Sequence, residues 1–125
     1  MEGLFKIKEK INGRTYYVQV CLQAEEIAQQ AIEIEMRGFT TWKSAVTFAA
    51  EYFHRRYAGS DKRGLKISIQ YLHDMEPDTN NMIVFYAVVQ ALCHAFGRQC
   101  DVAIDESGKF VVPKSSRGPA VGNLF

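Results

Sequence analysis

The dipeptide Asn12-Gly13 constrains this chain more than any other pair of residues. It separates two runs, LFKIKEKI and RTYYVQVCL, in which apolar and polar side chains alternate. Asn and Gly tolerate the positive φ angles of a type I′ turn, the two-residue connection whose twist suits adjacent antiparallel strands. Counting outward from the turn pairs Ile11 with Arg14, Ile7 with Val18 and Phe5 with Val20 on one face. Lys6, Lys8 and Lys10 then oppose Gln19, Tyr17 and Thr15 on the other. A slip of one residue would turn the apolar set to solvent, so turn chemistry and hydrophobic pattern specify the same register.

From 24 to 37, Ile27, Ala28, Ala31, Ile32 and Ile34 follow helical spacing and Gly38 supplies a stop. A helix is expected there, with Glu25, Glu26, Glu33 and Glu35 as its acidic face, although AIEIEM also alternates as a strand would. Thr40 or Thr41 can cap a second helix whose stripe is Trp42, Ala45, Val46, Ala49, Phe53 and Tyr57, ending at Gly59. LKISIQYLH reads as a strand that buries Leu65, Ile67, Ile69 and Tyr71. The apolar run that follows is too long for a strand and predicts a core helix over 79–97. Before it stands HDMEPDTNN, an imidazole and three carboxylates in six positions. A helix start alone selects these residue types: Asp78 or Thr79 can cap its free amides, and negative charge suits its dipole. The spacing matches no calcium loop. CDVAIDESGKFVV is a second hairpin, pairing Ile104 with Phe110 and Val102 with Val112.

The order is therefore β-β-α-α-β-α-β-β. An α+β fold follows, with one antiparallel or mixed sheet and the helices packed on one face. If helix 79–97 joins parallel strands, its crossover should be right-handed. Residues 1–113 form a single α+β domain, and 114–125, rich in Ser, Gly and Pro, read as a flexible C-terminal tail.

Fifteen basic and 14 acidic residues leave a formal charge of +1, so any polyanion must be held by a local patch rather than a global field. Three widely spaced cysteines without a CxxC pair argue against a disulfide framework or a zinc knuckle. Cys93, His94 and Cys100 come nearest to a ligand cluster, but neighbours on a helix point about 100° apart. No metal and no cofactor are expected, and Cys93 and Cys100 read as buried reduced thiols. No nucleophile elbow, dinucleotide turn or phosphate loop is present, which weighs against an enzyme. Without a secretory h-region or an 18-residue apolar run, the chain reads as a cytoplasmic protein with no membrane partner.

Three places remain for function. The polar sheet face gathers Lys6, Lys8, Lys10 and Tyr17, which the strand at 65 extends with Lys66, Ser68 and Gln70; it can hold single-stranded nucleic acid or simply keep the sheet soluble. Arg55, Arg56, Lys62, Arg63 and Lys66 form a second basic group, opposite in sign to the glutamates of 24–37, so that a protein partner or a second copy could dock on charge. On the core helix, Tyr86, Gln90 and His94 recur every four residues; with Trp42 and Tyr71 they could line a small-molecule pocket beneath the sheet, with His94 as its acid or base. Cys21, Leu72, Ala103 and Val111 should fall on the polar sheet face and would favour a dimer if clustered. The expectation is a non-catalytic binding protein acting on another protein or on itself, with the pocket and the nucleic-acid face as alternatives.

Overall fold

The Asn12-Gly13 turn forms with φ of 51° and 82°, both in the left-handed region that a type I′ turn demands. Around it, β1 (Glu2–Ile11) and β2 (Arg14–Ile27) pair antiparallel in the register read from the sequence, from Ile11–Arg14 out to Glu2–Gln23. These features come from a computed structural model, which describes residues 1–36, 41–57, 63–75 and 78–113. The expected Gly38 stop, Thr40 cap, Gly59 stop, Lys62 and the tail 114–125 lie outside those residues.

The elements that follow are β3 (Ile32–Met36), α1 (Lys43–Tyr57), β4 (Gly64–His73), α2 (Asn81–Ala95), β5 (Ala103–Ile104) and β6 (Phe110–Val111). The fold is α+β, a mixed four-stranded sheet in the order β1-β2-β4-β3 with both helices packed on it, plus a separate two-stranded sheet. The third element departs from expectation: of the segment 24–37, the described residues 24–36 do not form a helix. β2 continues to Ile27 against β4, and β3 then pairs parallel with β4, Ile32 with Leu65, Ile34 with Ile67 and Met36 with Ile69. Strand pairing wins because Ile32, Ile34 and Met36 thereby pack on the core while Glu33 and Glu35 remain exposed. The parallel crossover accordingly runs through α1, between β3 and β4. α2 instead leads to β5, which pairs with β6 outside the main sheet, Ile104 facing Phe110 as anticipated.

The core lies between the inner sheet face and the helices. Val18, Val20, Leu22, Ile67 and Ile69 meet Val46, Tyr52, Ile83, Phe85, Val88 and Leu92, all fully buried. Each aliphatic side chain so buried contributes about 1.5–3 kcal/mol. Nine of the 15 residues of α2 are buried, since it packs on β1, β2 and α1. It lies tight against β1 at Gly3, where a Cβ would stand 2.1 Å from the Ala91 carbonyl oxygen.

The handover from β4 to α2 is structural, but its details differ from the expected cap. Asn80, not Asp78 or Thr79, is the N-cap, its side-chain oxygen accepting from the Ile83 amide at 2.9 Å. The Thr79 hydroxyl accepts from the Met75 amide and donates to the Tyr17 carbonyl, while the Asp78 carbonyl accepts from the Tyr17 amide at 3.0 Å. The segment thus stitches the end of the sheet before the helix begins.

Candidate binding face of the sheet

A β-bulge decides what the outer face of the sheet displays. Leu22 of β2 faces Ile69 of β4, but the next pair is Cys21 with Tyr71, so Gln70 is the extra residue. Beyond it the faces of β4 exchange. Leu72 lies opposite the buried Val20 and packs on the core, whereas Tyr71 turns outward beside Cys21. Unbroken alternation predicts Tyr71 beneath the sheet and Leu72 outside; the bulge reverses both.

The outer face is therefore built from cross-strand rows. Lys10 pairs with Thr15, Lys8 with Tyr17, Lys6 with Gln19 and, on the far side, Gln19 with His73. The next row is Leu4, Cys21 and Tyr71. Gln19 Nε2 donates to the Tyr71 hydroxyl at 3.3 Å, and the Tyr71 and His73 rings lie 4.7 Å apart. Further along the strands the sign changes: Glu2 pairs with Gln23, Ser68 with Glu35, and Lys66 sits between Glu25 and Glu33. Ser68 donates to Glu35 at 3.2 Å. One half of the face thus carries three lysines and the rings of Tyr17, Tyr71 and His73; the other half is mostly acidic. Lys6, Lys8, Lys10 and His73 are exposed, and Tyr17, Gln19 and Tyr71 are half-buried. Cys21 is buried beneath them, and both that burial and the neighbouring Glu2 carboxylate push its thiol up.

The five expected pocket residues do not converge. Trp42 donates its indole N–H to Asp74 at 2.7 Å, and Tyr71 is on the outer face. Tyr86 packs edge-on against Phe5 and Phe110, Gln90 donates to the Val102 carbonyl at 2.9 Å, and His94 Nδ1 accepts the Leu4 amide at 3.0 Å. The polar line on α2 is satisfied by the protein itself. Among the described residues no buried side-chain polar atom lacks a partner.

The second basic group disperses as well. Arg55 is exposed on α1, Arg56 pairs with Asp101, and Arg63 lies ahead of β4, where its carbonyl bonds His54 Nε2 at 2.7 Å. Ala103 and Val111 pair with each other in the small hairpin, away from Cys21.

A cavity of about 220 Å³ opens where α1, the start of β4 and the turn after α2 meet, lined by Phe53, His54, Tyr57, Arg63, Phe96 and Arg98 among others. Phe53 stacks near Tyr57 and Phe96 at 5.0 and 5.4 Å, and the Arg98 guanidinium stands 6.0 Å from the Tyr57 ring. Sequence reading misses this site and assigns His73 to the handover into the core helix, because both placements depend on which distant segments meet. Among the described residues no group of three or more His, Cys, Asp or Glu side chains could hold a metal ion, and no helix is long and apolar enough to cross a membrane.

Comparison with known protein families gives no match, and comparison with curated proteins gives none. Among solved structures, the chain is similar to the crystal structure of ttk003000868 from Thermus thermophilus, with a TM-score of 0.58 and 22% identity over 72% of this chain. The match spans only 14% of that much longer chain, so it is a likeness of fold to one part of a larger protein.

Proposed function

We propose that this chain is a non-catalytic binding domain that holds single-stranded nucleic acid on the basic half of its outer sheet face. The observation that carries the reading is the bulge at Gln70. It brings Tyr71 and His73 to the same side as Tyr17 and the row Lys6, Lys8, Lys10. Aromatic faces on a sheet accept stacked bases, and lysines spaced about 7 Å apart along an edge strand accept the phosphates between them. The acidic half repels a polyanion and so confines the strand to residues 6–10, 15–19 and 71–73. Gln19, held by Tyr71, has amide groups suited to a base edge.

Fluorescence anisotropy with labelled single-stranded oligonucleotides at low salt tests this. Saturable binding, weakened by Tyr71→Ala and by Lys8→Ala, supports it; a flat titration overturns it.

A second reading rests on the division of charge within the face. Basic and acidic halves are complementary under a two-fold rotation, so a second copy, or a protein of similar charge pattern, could dock there. Light scattering separates the two: a salt-sensitive dimer with no oligonucleotide binding favours the protein partner.

A further inference from the structure

The end of α2 is folded back so that two cysteines seven residues apart face each other. Gly97 adopts φ of 65°, the left-handed conformation that ends a helix, and the Arg98 amide then donates to the Cys93 carbonyl at 2.8 Å. Two residues beyond Cys100, the Val102 carbonyl accepts from Gln90, one turn before Cys93. Bonds on either side of Cys100 therefore tie its segment to Cys93 itself and to the turn before it. A third tie comes from Asp101, which takes a hydrogen bond from the Tyr57 hydroxyl at 2.8 Å and pairs with Arg56. The two thiols are close enough to perturb each other's ionisation, Cys93 being raised and Cys100 lowered. Cys93 is 2% exposed, whereas Cys100 is only half-buried.

We propose that Cys93 and Cys100 form a thiol–disulfide exchange site whose co-reactant is a low-molecular-weight disulfide. Cys100 is the attacking sulfur. As the thiolate it displaces one thiolate from the small disulfide, giving a mixed disulfide on Cys100. Cys93 then attacks the Cys100 sulfur, its proton leaving with the second small thiol. Two protein thiols are oxidised to one disulfide, and one small disulfide is reduced to two thiols. The roles follow from access: Cys100 is the less buried of the two, and the neighbouring Cys93 thiol holds it below the ordinary thiol range, while Cys100 and burial keep Cys93 protonated. Phe96 and Arg98 lie between the two cysteines and line the cavity beside α1, so oxidation closes a covalent loop through that wall.

Treatment of the full chain with oxidised glutathione, followed by intact-mass and peptide mass spectrometry, tests the proposal. The wild type should lose two hydrogens and yield a Cys93–Cys100 linked peptide, with Cys21 unmodified. Cys93→Ala should instead trap one glutathionyl group on Cys100, and Cys100→Ser should show neither product. A wild type that stays reduced at both positions, or a Cys100→Ser variant as reactive as the parent, overturns it. The wild-type peptide map decides by itself if a variant fails to fold.

Discussion

Cys21 lies opposite Tyr71, one residue farther along β4 than the Leu22–Ile69 pair would place its partner in a continuous register. This single irregularity puts a ring on the outer face and an aliphatic side chain beneath it. Substitutions at the two neighbours should therefore separate binding from stability. Tyr71→Ala should weaken oligonucleotide binding about tenfold, in line with about 1–3 kcal/mol for a stacked base. Leu72→Ala should leave affinity unchanged but cost about 2 kcal/mol of stability, at the low end for a leucine that is only half-buried. Anisotropy titrations and denaturant melts of both variants check the division.

Gly3→Ala should be disruptive although it adds one methyl group. The new Cβ would meet the Ala91 carbonyl, backbone of a helix already packed against β1, β2 and α1. Either α2 or β1 must shift, at a cost of about 1–3 kcal/mol as for other overpacked sites. Chemical denaturation measures it.

His94, exposed on α2, caps the edge strand β1. Because its Nδ1 accepts the Leu4 amide, His94→Ala leaves that edge amide to solvent. The expected loss is about 1 kcal/mol, with faster hydrogen exchange at Leu4 than in the parent and little change at the Phe5 amide.

Asp101 makes stability depend on acid pH. Burial pushes its carboxyl up, but the hydrogen bonds from Arg56 and Tyr57 and the guanidinium charge outweigh this and hold it below the usual carboxylate range. A carboxylate depressed in the folded state stabilises above its unfolded pKa, and the gain is lost as pH falls through the lower folded value. Its partial exposure screens the pair, so the effect is modest. The Tm of the wild type should fall more steeply than that of Asp101→Asn between about pH 5 and pH 2.

The first hairpin is legible in full because Asn12-Gly13 and period-two alternation are local and agree. The core helix is legible for a similar reason, since a long apolar run admits few alternatives. Residues 24–37 are not, because Ile27, Ala28, Ala31, Ile32 and Ile34 fit a helical spacing while Ile32, Ile34 and Met36 alternate as a strand does. What decides between them is β4, a strand distant in the chain, whose Leu65 amide bonds the Ala31 carbonyl at 2.8 Å. The lysine row of the candidate site follows from the hairpin register. The rings do not, because LKISIQYLH alternates without a break through Tyr71. The only local hint of the bulge is that Tyr71 and Leu72 are consecutive apolar residues, and nothing in the strand alone says which one points inward. The Cys93–Cys100 approach is hidden for another reason: it depends on the chain reversal at Gly97 and on ties to α1.

The most direct test of the nucleic-acid face is the salt dependence of oligonucleotide binding. Three lysines that each neutralise a phosphate should give a slope of log affinity against log salt of about −2. The triple variant Lys6→Ala, Lys8→Ala, Lys10→Ala should bring that slope close to zero with the fold intact. A wild type that does not bind at low salt, or a slope that the triple variant leaves unchanged, would contradict the account.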